Sequence, residues 1–112
     1  MKKPDTKITN DRIKCHVEVA MDAIAGKWKI LILWYLRDDK KRFSELQKSI
    51  YGITQKMLIQ KLRELEEDGI VHREVYPVVP PKVEYSLSEY GKTLKPILKQ
   101  LYFWGEEHNK RQ

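Results

Sequence analysis

The chain has 112 residues, of which 41% are hydrophobic and 34% are charged, as expected for one soluble globular domain with a modest core. No apolar run approaches the ~18 residues of a membrane span, and the basic N-terminus lacks the apolar stretch of a secretory signal. One cysteine excludes an internal disulfide framework and favours a cytoplasmic protein. The net charge of +6 fits a polyanionic partner, but its spread along the chain argues only weakly for nucleic acid.

The N-terminal part is predicted to be a polar arm followed by two helices. Residues 1–14 lack hydrophobic periodicity, so we expect a flexible basic arm there and a single folded domain over residues 15–112. From Val17 the apolar positions recur at helical spacing, and Gly26 is a typical stop. The next segment, KWKILILWYL, is apolar all round, so its periodicity does not separate helix from strand. Its length favours a helix at the centre of the core.

Residues 43–68 are predicted to form a helix-turn-helix. A short amphipathic helix over 43–50 is followed by a tight glycine-containing connection, the spacing typical of this motif. Thr54 is placed to cap the longer second helix, because its hydroxyl can accept a hydrogen bond from a free backbone N–H. That helix is expected to end near Asp68, before Gly69. Its inward-facing side is predicted to consist of Leu58, Leu62 and Leu65.

Two strands, over 70–76 and 83–87, are predicted to follow, separated by a proline-rich loop. Proline cannot donate a hydrogen bond to a strand ladder, so these prolines end the pairing and stiffen the loop. A hairpin directly after a helix-turn-helix is a wing, here over 70–87, and its tip is expected to carry Lys82 toward a phosphate backbone. A last helix is predicted from about Glu89 to His108, bent at Pro96.

The order of charges along the longer helix favours DNA binding. The stretch from Thr54 to Arg63 contains only basic charges, and the residues from Glu64 to Asp68 are mostly acidic. The helix dipole favours the reverse order by ~0.3–1 kcal/mol per charge, so the arrangement indicates function. A recognition helix points its N-terminal residues at base edges, where Gln pairs with adenine and Arg or Lys with guanine. The predicted base-reading residues are Gln55, Lys56, Gln60 and Arg63.

Contacts to the DNA backbone, which set orientation, are predicted at the start of the short helix, at the cap and on the wing. They are Lys40, Lys41, Arg42, Ser44, Thr54 and Lys82. The alternative for both sets is an ordinary solvated polar face.

Several motifs together resemble one family. GKWKILILWYL, RFSEL, GITQKMLIQKLRELEEDGIVHREVY, PVVPPKVEYSLSEYG and FWGE, spread over about residues 15–107, resemble the HxlR-type winged-helix regulators, relatives of the MarR-like group. The resemblance implies a mainly α fold with a small β-hairpin wing. It also implies a bacterial, cytoplasmic homodimer that binds a near-palindromic operator in double-stranded DNA and represses or activates transcription.

The same resemblance implies that the first and last helices build the dimer interface. The last helix carries an apolar stripe with more aromatic surface than a small domain easily buries alone. The predicted interface residues are Val17, Met21, Leu98, Leu101, Tyr102 and Trp104. The alternative is that the stripe packs entirely on its own core.

Cys15, just before the first helix, is a candidate redox sensor. Family members commonly carry a cysteine there, and some use it to sense oxidants or electrophiles. The positive end of the helix dipole and the neighbouring Lys14 would both favour the thiolate. His16 departs from the proline that the family often has, and the chain has no second cysteine to resolve a sulfenic acid. The alternative is a structural cysteine at the interface.

No pattern in the sequence predicts an enzyme. The three histidines are scattered, so no zinc site is expected, and no phosphate-binding or dinucleotide fingerprint predicts a cofactor. Two other functions remain open. One is a winged-helix protein-interaction module. The other is a regulator that responds to a small ligand, bound between the dimerisation helices and the wing domain, instead of to thiol chemistry.

Overall fold

The computed structural model describes residues 13–112, so most of the expected N-terminal arm lies outside the described residues. Within the described residues, the five α-helices are α1 (His16–Ile24), α2 (Lys27–Tyr35), α3 (Phe43–Ser49), α4 (Gln55–Glu67) and α5 (Lys95–Lys110). The three strands of residues 13–112 are β1 (Lys41–Arg42), β2 (Val71–Tyr76) and β3 (Lys82–Leu87), and a 3₁₀ turn spans Gly91–Leu94. This is the predicted winged helix-turn-helix, mainly α with a small sheet.

The core lies where α2 crosses the helix-turn-helix. Ile32 and Leu33 of α2 are fully buried, which confirms that the uniformly apolar segment is a central helix. The leucines of α4 pack against it, and they are the three predicted from helical spacing: Leu58, Leu62 and Leu65. Burial of each such side chain contributes about 1.5–3 kcal/mol, so this contact holds α4 firmly on the body of the protein.

The helix-turn-helix connection is built as the sequence predicts. Gly52 has a φ of 87°, a left-handed conformation that favours glycine, and it turns the chain between α3 and α4. Thr54 is the N-cap of α4, and its Oγ1 accepts a hydrogen bond of 3.1 Å from the backbone N–H of Met57. Gly69, with a φ of 75°, ends the helix at the other side. Both ends of α4 are therefore fixed by local chemistry.

The sheet has one strand more than the sequence predicts. β2 and β3 form the expected antiparallel hairpin, but β1 also pairs with β3, in the order β1-β3-β2. In this register Lys41 lies opposite Tyr85 and Arg42 opposite Glu84. The short helix begins at Phe43 as predicted, with Arg42 as its N-cap, and the pairing of Lys41 and Arg42 in a strand just before it was not predicted. The third strand ties the wing to the entrance of the helix-turn-helix.

The last helix begins later than predicted. A 3₁₀ turn occupies residues 91–94 and α5 starts at Lys95, so Pro96 lies in the first helical turn and not at a bend. Proline is well suited there, since its missing N–H would have no intrahelical partner. The turn packs closely on the end of α4: a Cβ on Gly91 would lie 2.1 Å from the carbonyl oxygen of Ile70. Glycine is required at this approach.

Candidate nucleic-acid interface

The first half of α4 presents a polar face to solvent. Leu58 and Leu62 face the core, Met57 and Lys61 are partly buried, and the remaining positions are exposed. The exposed set contains all four predicted base-reading residues, Gln55, Lys56, Gln60 and Arg63. The helix is amphipathic and held by its leucines, so these side chains occupy a rigid, outward-facing surface. We call this surface the α4 face.

Several cations of the helix-turn-helix and of the wing form no ion pair with other described residues. Among residues 13–112, the ion pairs join Lys or Arg side chains mainly outside the α4 face, as in Lys92 with Glu89 and Lys110 with Glu107. Six cations of β1, α3, α4 and β2 form no ion pair with another described residue. They are Lys41, Arg42, Lys48, Lys56, Arg63 and Arg73. Their charge is available to an external anion, and a phosphate backbone is such a partner.

Arg73 is a member of this set that the sequence analysis missed. It lies opposite Tyr85 in the β2–β3 ladder, and both residues line a cleft of about 400 Å³ between α4 and the sheet, together with Arg63. Strand alternation places Arg73 on the same side as the buried Val71. That register would have indicated an arginine on the α4 side of the wing. The cleft thus brings two guanidinium groups, one from the helix and one from the wing, to the same edge of the molecule.

Two residues predicted to contact phosphate are instead engaged within the chain. Glu84 of β3 lies 3.3 Å from the Nζ of Lys40 and 4.0 Å from that of Lys82. A hydrogen bond from the Tyr76 hydroxyl, followed by the Lys40 ammonium, holds the pKa of Glu84 below its usual value. The same carboxylate raises the pKa of Lys40. Glu84 therefore partly neutralises Lys40 and Lys82 within the chain, and their contact with phosphate stays a prediction.

The wing tip itself is apolar. Lys82 is the first residue of β3, and its Nζ lies 4.6 Å from the centroid of the Tyr76 ring, so the ammonium sits at the base of the tip. Residues 77–81 carry no charge, and Val79 is 99% exposed. Lys82 therefore lies at the base of the predicted loop and not at its end, and its contact with phosphate stays a prediction. The loop projects apolar side chains instead.

The remaining predicted backbone contacts stay accessible. Ser44 is exposed in the first turn of α3, and Thr54 is exposed although its hydroxyl oxygen caps α4. A hydroxyl that accepts one hydrogen bond can still donate its own proton to a phosphate oxygen. Thr54 is thus at the N-terminus of α4, and Ser44 is in the first turn of α3 next to the cations of β1.

Cys15 is the N-cap residue of α1 and is half-buried. Its backbone N–H donates a hydrogen bond of 3.0 Å to Oε1 of Glu18. Lys14, expected to favour the thiolate, forms an ion pair with Asp22. The cation beside the thiol is therefore shared with a carboxylate, and the support that the sequence predicted from Lys14 is weakened.

Apolar side chains are exposed mainly on α1 and α5. On α1 they include the predicted Val17 and Met21, and on α5 the predicted Leu101, Tyr102 and Trp104. Leu98 is different, since it is only 2% exposed and belongs to the core of its own chain. Assigning Leu98 to the interface was wrong: it is on the side of α5 that packs inward, and Leu101 is on the outward side.

The α5 helix is held on α2 by a ring stack. Tyr102 stacks on Trp34 with ring centroids 4.9 Å apart, and the Arg37 guanidinium lies 3.5 Å from the Trp34 centroid. Beside this stack an apolar cleft of about 230 Å³ opens between the two helices. Its lining is Ile30, Leu31, Trp34, Leu98, Leu101 and Tyr102.

The described residues contain neither a metal-binding cluster nor a helix that could span a membrane. Within residues 13–112, His, Cys, Asp and Glu side chains form no group of three that could hold a metal ion. The helices described there are all too short or too polar to cross a membrane.

Comparison with known proteins identifies the family. The sequence model of the HxlR-like helix-turn-helix family matches residues 23–112. The chain is 55% identical over 97 residues to the HTH-type transcriptional regulator YdeP of Bacillus subtilis, covering 87% of this chain and 76% of that protein.

Two solved structures of the redox regulator HypR are also similar. The oxidised form has 57% identity and a TM-score of 0.81, over 83% of this chain and 96% of that one. The reduced form has 55% identity and a TM-score of 0.82, over 85% and 94%. The chain belongs to the HxlR-like helix-turn-helix family and is a transcriptional regulator.

Proposed function

We propose that the protein is a cytoplasmic homodimer that binds a near-palindromic operator in double-stranded DNA and places one α4 in each of two successive major grooves. The observation that carries this proposal is the α4 face, a rigid surface of exposed Gln, Lys and Arg side chains that form no ion pairs with other described residues. Gln55, Lys56, Gln60 and Arg63 would read bases, and Lys41, Arg42, Ser44 and Thr54 would contact the backbone.

The exposed apolar side chains support a dimer. Of the 14 large hydrophobic residues that are exposed between residues 13 and 112, 8 lie on α1 or α5. Exposed apolar surface of this extent is typical of an interface, and a two-fold dimer would bury both copies of it at once. Two-fold symmetry also supplies the paired recognition helices that a near-palindromic operator requires.

A gel-shift assay with the DNA upstream of the protein's own gene tests the proposal. Specific binding should survive an excess of random competitor DNA and weaken as the salt concentration rises, because each neutralised phosphate releases counterions. Equal affinity for this DNA and for random DNA, at both salt concentrations, would instead support a winged-helix protein-interaction module. The α4 face argues against that module, since protein interfaces are depleted in charged residues at their centre.

Thiol-based regulation through Cys15 is the second part of the proposal. Its support is the similarity to the redox regulator HypR, together with the position of Cys15 at the N-cap of α1, one of the two dimerisation helices. Oxidation by diamide would join the Cys15 sulfurs of the two subunits in a disulfide, and diamide would take up the two hydrogens. A cross-link across the dimer axis would change the spacing of the two α4 helices. The alternative remains a structural cysteine that acts as a small hydrophobe.

The Cys15→Ser variant should bind the operator as the parent protein does and lose its response to diamide. Non-reducing electrophoresis should show a diamide-induced dimer band in the parent protein alone. A diamide response that persists in the variant would remove Cys15 from the mechanism.

The cleft between α2 and α5 favours one alternative mode of regulation, in which a small apolar ligand replaces thiol chemistry. The volume of about 230 Å³ and the apolar lining would suit a small aromatic or aliphatic compound. Ile30→Trp would fill this cleft. It should abolish regulation by such a ligand and leave any diamide response unchanged.

A further inference from the structure

An isoleucine stands in the middle of the α4 face, and neither helix propensity nor core packing accounts for it. Ile59 is 40% exposed, whereas the core leucines of the same helix are at most 2% exposed. A β-branched residue slightly lowers the stability of an exposed helix, and an apolar side chain that stays exposed contributes no free energy of burial to folding. Ile59 is the large apolar side chain that α4 exposes within an otherwise polar surface.

The neighbours of Ile59 argue against a protein partner at this point. Of the residues one turn before and after it on the helix, Leu62 is buried in the core, and the three that share the surface with Ile59 are polar: Gln55, Lys56 and Arg63. Ile59 also lines the cleft between α4 and the sheet, where three charged side chains, Arg63, Glu66 and Arg73, accompany Leu62 and Tyr85. A docking surface for another protein would group several apolar side chains, since charged residues are depleted at the centre of interfaces. A surface with one apolar side chain among hydrogen-bonding groups is complementary to a partner that presents mostly donors and acceptors and an isolated apolar group.

The major groove of DNA has that composition. It presents donors and acceptors from every base pair, and its one apolar group is the C5-methyl of thymine. We propose that Ile59 reads this methyl group and thereby selects thymine at one position of each operator half-site. The proposal rests on the DNA-binding function proposed above and adds a specificity-determining residue to it.

Helix geometry places this thymine between the bases read by the neighbouring residues. Gln55, Ile59 and Arg63 are spaced by four residues, so each lies about 6 Å further along α4 than the previous one. Successive base pairs are about 3.4 Å apart. The thymine should therefore lie within about two base pairs of the position that Gln55 contacts and of the one that Arg63 contacts.

Replacing thymine by deoxyuridine tests the proposal, because it removes only the methyl group. The protein first selects its preferred sequence from a random DNA pool, and each thymine of the selected site is then replaced in turn. For the parent protein, one replacement per half-site should weaken binding about fourfold, the effect of one methyl group that is no longer buried. For Ile59→Ala, the thymine and deoxyuridine sites should bind with equal affinity, since the partner of the methyl is absent.

Two controls isolate the effect. Val79→Ala shortens an exposed apolar side chain outside α4 and should keep the full deoxyuridine penalty. Thermal unfolding should show that Ile59→Ala remains folded, because the side chain is only partly buried. A selected site that no deoxyuridine weakens, or an unchanged penalty in Ile59→Ala, overturns the role of Ile59 while specific binding stands. A protein that selects no sequence overturns both this inference and the proposed function.

Discussion

Helices α4 and α5 both expose a face, and the two faces have opposite chemistry. The α4 face is formed by amide and cationic side chains, such as Gln60 and Arg63, around a single isoleucine. The exposed side of α5 is formed by aliphatic and aromatic side chains, with Leu101 49% and Trp104 67% exposed. Surfaces of the first kind are suited to a strongly hydrated polyanion, and those of the second kind to another apolar surface. One small domain therefore presents two distinct partner surfaces.

The two helices also differ in how the chain supports them. Three core leucines and defined residues at both ends fix α4, so its polar face is preorganised. By contrast, α5 is anchored by Leu98 and by the stack of Tyr102 on Trp34, and every residue from 101 to 112 is exposed. The α4 helix is thus fully supported within one chain, whereas the second half of α5 exposes the apolar side chains that we propose a partner subunit covers.

Leu101→Lys should produce the largest effect, because it would bury a charge at the centre of the proposed interface twice in each dimer. Dimer dissociation is expected to rise by about a hundredfold or more, since an unpaired buried charge costs several kcal/mol. Sedimentation equilibrium would measure this change directly.

Val79→Lys is the matched control, because it places the same charge on an exposed apolar position of the wing. This variant should remain as dimeric as the parent protein. If Leu101→Lys also remains dimeric, the exposed side of α5 is not the dimer interface, and the assignment of different partners to α4 and α5 is wrong.

Arg63→Ala should have the next largest effect, confined to the α4 face. A bidentate contact to guanine is worth about 1–3 kcal/mol of discrimination, so binding to the operator should weaken and base preference should relax at one position. Competition binding with a panel of operators, each changed at one base pair, would locate that position.

Arg111→Ala is the control from the other region, since Arg111 is also an exposed arginine but lies at the end of α5. It should leave operator recognition unchanged. Equal losses on operator and random DNA for Arg63→Ala would show that Arg63 contacts phosphate and does not read a base.

The difference between the two helices also explains how much the sequence revealed. The elements of the helix-turn-helix follow from local signals: leucines at helical spacing, a threonine cap, and glycines where the chain turns or stops. The α4 face was predictable for the same reason, because a helix with a known inner side has a known outer side. Local patterns therefore sufficed for the part of the site that lies on one helix.

Features that depend on distant residues were not predictable. Strand β1 is two residues long, too short for a periodic pattern, and it exists because β3 offers a free edge more than forty residues later. The engagement of Lys40 by Glu84 has the same origin, since the ladder places Arg42, the second residue after Lys40, opposite Glu84. For α5, the apolar stripe was recognised, but spacing alone did not separate Leu98, which faces inward, from Leu101, which faces outward.

The smallest expected effect concerns Glu84, which joins the wing to the start of the helix-turn-helix through Lys40. The pKa of Glu84 is lowered, first by the Tyr76 hydroxyl and then by Lys40, so the carboxylate is favoured in the folded protein. Its stabilising contribution is therefore fully present above the ordinary glutamate pKa of about 4.3 and is lost as the pH falls through the lowered value. Glu84→Gln should lower the melting temperature slightly at neutral pH, and the difference from the parent should shrink steadily below about pH 4.

Thermal melts followed by circular dichroism from neutral to acidic pH would measure this difference, with Glu107→Gln as the control. Glu107 pairs with Lys110 at 3.2 Å on the exposed end of α5, where an ion pair contributes little to stability, so its substitution should change the melting temperature at no pH. A Glu84→Gln deficit that is equally large in acid would assign the effect to packing at the base of the wing. A deficit that disappears in acid would show that the negative charge of Glu84, paired with Lys40, stabilises the contact between the wing and the start of the helix-turn-helix.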